Sequence, residues 1–160
     1  MLCLEPVTGK NVYSLMDLQV APEQETFVAP NAVSLAEAYV ALTRDGHAFP
    51  FGLMDGETPV GFVMIGFDVD ADWEDAPAVA FGSYNLWRLM IDRRYQGRGY
   101  GREAVRLALD FIRTFPCGPA DACWLSYEPE NAAAKALYAS FGFVETGDFD
   151  GEEAIAVLKL

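Results

Sequence analysis

Leu89-Met90-Ile91-Asp92-Arg93-Arg94-Tyr95-Gln96-Gly97-Arg98-Gly99-Tyr100-Gly101 reads as the end of an apolar strand, a polar turn and a glycine-rich entry into a helix. Glycine lets the backbone turn tightly and approach a ligand with no Cβ in the way. The first turn of the following helix offers unpaired N–H groups and the positive end of the helix dipole. Together they predict a cradle for phosphate or pyrophosphate, with Arg98 and Arg102 adding charge beside it. A P-loop would need Gly-x-x-x-x-Gly-Lys-Ser/Thr, which is absent. A dinucleotide fingerprint would need Gly-x-Gly-x-x-Gly, whereas the glycines stand at 97, 99 and 101 and position 102 is Arg. On the glycines alone a plain strand-to-helix connector stays open, although a connector needs neither three glycines nor flanking arginines.

Outward from this loop the chain alternates strands and helices. After it, Gly99 to Phe115 predicts a helix. Val105, Ala108, Leu109, Ile112 and Phe115 form an apolar stripe, opposite Arg102, Arg106, Asp110 and Arg113. Ala122 to Tyr127 reads as a strand, Asn131 to Phe141 as a helix, and Phe143 to Phe149 with Ala154 to Leu160 as a hairpin around Asp150-Gly151. Before the loop, Leu2 to Val7 predicts a strand and Asn11 to Leu18 a helix. Val20 to Asn31 reads as a loop. A second helix follows, capped by Ser34 with Glu37 completing a capping box. Ala48 to Met54 and Pro59 to Phe67 are strands joined at Asp55-Gly56, and Asn85 to Ile91 is the strand entering the loop. Hairpins mixed with crossovers predict an α+β fold with a mixed sheet and helices on its faces. The 160 residues fit one domain, 1–160.

Two segments then resemble a known family. Residues 89–101, with Gln96-Gly97-Arg98-Gly99-Tyr100-Gly101 at their end, are similar to the pyrophosphate-binding motif of the GNAT superfamily of N-acetyltransferases, Gln/Arg-x-x-Gly-x-Gly/Ala. Asn131, Ala134, Leu137 and Tyr138, followed by Phe141-Gly142-Phe143, resemble its second signature, Asn-x-x-Ala-x-x-Leu-Tyr with a nearby Gly-Phe. The resemblance runs through nearly the whole chain. Within the superfamily it is greatest to the bacterial spermine/spermidine (polyamine) acetyltransferases.

The resemblance implies a mostly antiparallel sheet of about seven strands with about four helices, and acetyl-CoA as cofactor. It assigns the backbone of Leu89, Met90 and Ile91 to the pantetheine arm. It assigns the loop from Gln96 through Tyr100 and Gly101 to Arg102 to the pyrophosphate. Asn131 contacts the cofactor, and Lys135, one helical turn on, either reaches a phosphate or is an exposed lysine. Tyr138 matches the tyrosine that protonates the departing thiolate. A phenol with a pKa near 10 can donate to a thiolate whose thiol has a pKa near 8.5 and still be neutral at pH 7. By spacing alone Tyr138 reads as a core tyrosine, on the face shared by Ala134 and Phe141, and the signature reverses that reading.

The acceptor side follows from chemistry. An alkylammonium has a pKa of about 10.4 and must lose a proton before it attacks, so an acidic site with a base is expected. Polyamine acetyltransferases of the family often carry a carboxylate on the strand before the loop, where this chain has Trp87. Trp87 is either a core residue or a cation–π contact for the substrate, worth about 0.5–2 kcal/mol. Glu128, at the end of the neighbouring strand, is a candidate base, with Glu23 or Glu25 as others, and each of them reads by itself as a surface charge. The resemblance implies that the loop from Glu23 to Asn31 forms an acceptor wall, with Glu25 and Asn31 in it.

Charge sharpens the picture. The net charge is −13, yet residues 88–113 hold seven of the 11 basic residues and three acids, a +4 segment in a remainder of −17. An acidic protein makes nucleic acid an unsuitable partner and suits a small cationic amine. Five acids between Asp68 and Asp75 predict a solvated loop. Cys3, Cys117 and Cys123 have no CxxC spacing and His47 is the only histidine. This argues against a metal site and a Cys–His nucleophile and predicts reduced thiols in the cytoplasm. No stretch reaches the roughly 20 apolar residues of a membrane span. A homodimer is common in the family. Alternatives are an acetyltransferase for an aminoglycoside or a protein N-terminus, and a non-catalytic acyl-CoA-binding module.

Overall fold

The computed structural model describes every residue from Met1 to Leu160. The elements are β1 (Leu2–Pro6), α1 (Val12–Met16), α2 (Asn31–Thr43), β2 (His47–Asp55), β3 (Thr58–Phe67), β4 (Tyr84–Ile91), α3 (Tyr100–Ile112), β5 (Ala122–Tyr127), α4 (Ala132–Ala139), β6 (Val144–Asp150) and β7 (Glu153–Lys159). Short 3₁₀ turns sit at Pro22–Gln24 and Ala78–Ala80. The seven strands form one sheet in the order β1-β2-β3-β4-β5-β7-β6. Every neighbouring pair is antiparallel except β4 and β5. The expected α+β architecture is the observed one.

Side chains alternate across a strand, and β3 shows this most plainly. Phe62 and Met64 are buried with Leu15 and Leu18 beside α1 and with Ala38 and Ala41 of α2. Val63 and Ile65 pack with Val105, Ala108, Leu109 and Ile112 of α3. The two pairs of helices therefore cover opposite faces. Each large aliphatic side chain of the α3 stripe contributes about 1.5–3 kcal/mol by leaving water. Phe115 lies outside that stripe. The helix ends at Ile112, and Phe115 takes φ +53° in the turn before Pro116.

The predicted capping box is corrected. Helix α2 begins at Asn31, behind Pro30, whose φ of −54° already suits a helix start. Ser34 therefore falls inside the first turn, where it is buried and its Oγ has no partner. Glu37 instead receives a hydrogen bond from Arg88 at 2.8 Å.

The loop that matters most is held from below by Asp92. It is buried at the end of β4. Its carboxylate accepts from the N–H groups of Gln19 (3.0 Å) and Arg94 (3.0 Å) and from Arg94 Nε (2.7 Å). Burial opposes its ionisation, but these hydrogen bonds win and hold the carboxyl below its ordinary range.

Candidate active site

Strands β4 and β5 are registered only at Tyr84–Cys123 and Asn85–Trp124. Beyond those pairs the two strands part. The register of β3 against β4 passes from Met64–Arg88 to Ile65–Leu86, so Trp87 is an extra residue with no partner on β3. A bulge of this kind bends and twists its strand. Between the parted strands lies a cavity of about 1090 Å³.

One end of the cavity is the glycine loop. Gly97 (φ +75°) and Gly99 (φ +80°) adopt left-handed backbone, and a Cβ built on either meets no atom within 4 Å. The N–H groups from Gln96 through Arg102 donate to no acceptor in the protein, and Glu103 is the first to bond back, to Gly99 O at 3.2 Å. A consecutive row of free donors at a helix start fits a pyrophosphate. Gln96 fixes the row in place: its Nε2 donates to Ile91 O (3.0 Å) and to Gln24 Oε1 (2.7 Å). Tyr100 donates to Asp55 Oδ2 at 2.8 Å and ties the start of α3 to the β2–β3 turn.

The expected arginines turn elsewhere. Arg98 donates to Arg94 O (3.2 Å) and lies over the Tyr95 ring, while Arg102 donates to Ser140 Oγ (3.0 Å) and lies over Phe141. Only their backbone N–H groups face the expected task. Lys135 forms an ion pair with Glu145 at 3.1 Å and does not line the cavity. Leu89, Met90, Ile91 and Asn131 do line it. Asn131 caps α4 by accepting from Ala134 N–H at 3.2 Å.

Tyr138 lies at the cavity wall, stacked on Tyr127 and edge-on to Phe143. Its hydroxyl has no hydrogen-bond partner in the protein, whereas Tyr127 donates to Glu145 at 2.8 Å. Burial, reinforced by the charge of Glu153, pushes the Tyr138 phenol far above its ordinary value. It stays protonated across the neutral range.

The cavity is also lined by acids and aromatics: Glu25, Asp70, Glu128, Asp150 and Glu153, with Trp73, Trp87 and Trp124. Arg88 is the basic residue there. Its guanidinium bonds to Glu37 and the Trp87 carbonyl, its Nε is buried without a partner, and it lies 5.9 Å from the Trp87 ring centre. Trp87 thus already has a cation on its ring. Asn31, expected at the acceptor wall, is in the core. Its Nδ2 donates to Leu15 O at 2.8 Å, and it does not reach the cavity. Glu23 does not line the cavity either.

Sequence reasoning missed Glu153 and Asp150. Burial raises both carboxyl groups above their ordinary values, and the charge of Glu128 raises Glu153 further. In the sequence they bracket the turn Asp150-Gly151-Glu152-Glu153, which reads as a solvated hairpin tip. Nothing local marks it as a cavity wall. Arg88 carried a signal, a lone cation inside an apolar strand.

Comparison of the sequence with known proteins makes the chain an acetyltransferase acting on amines. The chain belongs to the acetyltransferase (GNAT) family, whose sequence model matches residues 12–143. It is 30% identical over 156 residues to the spermine/spermidine N(1)-acetyltransferase of Bacillus subtilis, covering 95% of each chain. Among solved structures it is similar to the aminoglycoside acetyltransferase AAC(6')-Ib in complex with coenzyme A (TM-score 0.76, 17% identity, 99% of this chain and 95% of that one). It is also similar to the PaiA N-acetyltransferase of Thermoplasma acidophilum in complex with coenzyme A (TM-score 0.68, 15% identity, 100% and 99%). At those identities the two structures speak to the fold. The family's cofactor is acetyl-CoA. No helix is long and apolar enough to cross a membrane.

Proposed function

We propose that this acetyltransferase moves the acetyl group of acetyl-CoA directly onto a primary amine of a small polycation, a polyamine such as spermidine or spermine. The observation that carries this reading is the acidity of the cavity lining. Glu25, Asp70, Glu128, Asp150 and Glu153 line the cavity, and its one arginine is paired with Glu37. An acidic, partly desolvated cleft favours a multiply charged cation. The activity named for the Bacillus subtilis relative supports the same class.

The free N–H row from Gln96 to Arg102 would hold the pyrophosphate, and the open edge of Leu89, Met90 and Ile91 with Asn131 the pantetheine arm. Bound acetyl-CoA supplies an activated thioester. Tyr138 holds a proton on an oxygen that no protein group engages, as suits a donor to a thiolate. The carboxylates opposite, with Glu128 the one expected from the sequence, accept the proton that the ammonium must lose. A homodimer and a cytoplasmic location complete the reading, on the family likeness and the free cysteines; light scattering tests the first.

The test is thiol release from acetyl-CoA with spermidine, spermine, putrescine, lysine and kanamycin. Spermidine or spermine is expected to give the highest kcat/KM. Turnover of kanamycin alone would move the acceptor to aminoglycosides. Cofactor binding with no amine turned over would leave only an acyl-CoA-binding module.

A further inference from the structure

We propose that Glu153 accepts the proton from the acceptor ammonium, with Glu128 and Asp150 as its acidic neighbours at the cavity wall. The inference rests on the amine-acetylation reading above and names the base for it.

Glu153 is the first residue of β7. The pairing of β7 with β5 (Ala154 opposite Tyr127, Ile155 opposite Ser126) carries its side chain to the cavity wall beside residues 25 or more positions earlier. The groups around it come from every neighbouring element. Arg88 of β4 faces it, Ser126 Oγ of β5 lies 3.4 Å from its Oε2, and Glu128 follows β5. Asp150 ends β6 and is registered with Glu153, while Tyr138 of α4 senses the Glu153 charge. Arg88 in turn is held by Glu37 of α2.

This arrangement places a proton acceptor and a proton donor at one site. Tyr138 and Glu153 both line the cavity. A carboxylate in water, with a pKa near 4.3, is a weak base for an ammonium. Burial and the charges of Glu128 and Asp150 raise Glu153, against the opposing pull of Arg88 and the hydrogen bond donated by Ser126. Such a group is a better base at neutral pH. The protons balance. One passes from the ammonium nitrogen to a Glu153 carboxylate oxygen and frees the nitrogen lone pair. That lone pair forms the bond to the acetyl carbon as the carbon–sulfur bond breaks, and the sulfur takes the Tyr138 proton. The nitrogen, left as a protonated amide when the carbon–sulfur bond breaks, releases its second proton to solvent; Glu153 returns its proton to solvent, and Tyr138 regains one from solvent.

Two measurements test this on the full chain. The first is carboxyl titration by ¹³C NMR on protein labelled at glutamate, with the Glu153 signal assigned by its loss in E153Q. The Glu153 carboxyl is expected to titrate above the ordinary glutamate range, and E128Q and D150N each to bring it down. Titration in the ordinary range, or no response to E128Q, overturns the proposal even if amine turnover is normal. The second is the pH profile of kcat/KM for the best amine of the panel. Wild type is expected to rise and level off near neutral pH. E153Q should lose about 10²–10³-fold at pH 7 and rise with pH toward the amine's own pKa of about 10 without levelling, because only free amine then reacts. E153D should restore part of the plateau. E128Q should move the acid limb to lower pH, because a negative neighbour has been removed. If E128Q loses the plateau and E153Q keeps it, Glu128 is the base and the proposal fails. If no amine is acetylated, the polyamine reading fails, and the carboxyl titration still reads Glu153 by itself.

Discussion

Tyr138 and Tyr127 stack with ring centroids 6.0 Å apart and planes inclined by 26°, yet only Tyr127 has a hydrogen-bond partner. The same pair of rings therefore divides into a structural phenol and a chemically free one. Y138F is expected to lower kcat by about 10²-fold or more while leaving Tm and the Kd for coenzyme A unchanged. Y127F is expected to show the reverse, a lower Tm by loss of the Glu145 bond, with kcat largely kept. Steady-state kinetics and thermal melts of the two variants decide it.

Gly99 tests the cradle. Its φ of +80° is one that an L side chain adopts at a cost of about 1–2 kcal/mol, although a Cβ there has open space. G99A should weaken coenzyme A binding on the order of 10-fold by calorimetry. An unchanged Kd would detach the loop from the cofactor.

Asp92 tests the support beneath that loop. D92A leaves the Gln19 and Arg94 N–H groups without their acceptor in a partly buried place. An unfolding penalty of about 1–3 kcal/mol is expected, read as a drop in urea midpoint at constant m. A weaker coenzyme A affinity should accompany it.

Lys135 is the contrasting case. Its ammonium is half-exposed and held by Glu145, and pairs of this kind contribute about 0–1 kcal/mol. K135A is expected to leave coenzyme A affinity within about twofold. A tenfold loss would return this side chain to the cofactor.

Alkaline pH should destabilise the fold. Burial raises Tyr127 to about 12, helped by its bond to Glu145, and burial raises Cys123 to about 12. A group raised on folding stabilises below its unfolded pKa, and that stability is lost as pH climbs through the folded value. The loss should begin near the ordinary thiol pKa of about 8.5, steepen near the tyrosine value of about 10, and run to about 12. Tm measured from pH 7 to 11 should fall, and fall less steeply in Y127F.

Much of this molecule was legible as local pattern. The stripe Val105, Ala108, Leu109, Ile112 repeats at the helical period, and those residues are the buried ones. The glycine loop, the hairpins at Asp55-Gly56 and Asp150-Gly151 and the helix from Asn131 rest on turn and cap chemistry confined to a few adjacent residues. The helix start at Pro30 was misread because Ser34 and Glu37 make a plausible cap by spacing. Nothing local says that Asn31 will be buried against Leu15.

The amino-acid sequence by itself determined most of the strands and helices, the glycine-rich turn into α3 and the acidity of the whole. Those depend on residue type and spacing within one turn or one pleat. Only the tertiary structure decided how β4 and β5 part beyond Asn85 and Trp124, where Arg98, Arg102 and Lys135 direct their charges, and that Glu153 joins Glu128 at the cavity. Those depend on strand register and on partners tens of residues away, where the competing acceptors for each charge are chosen by packing.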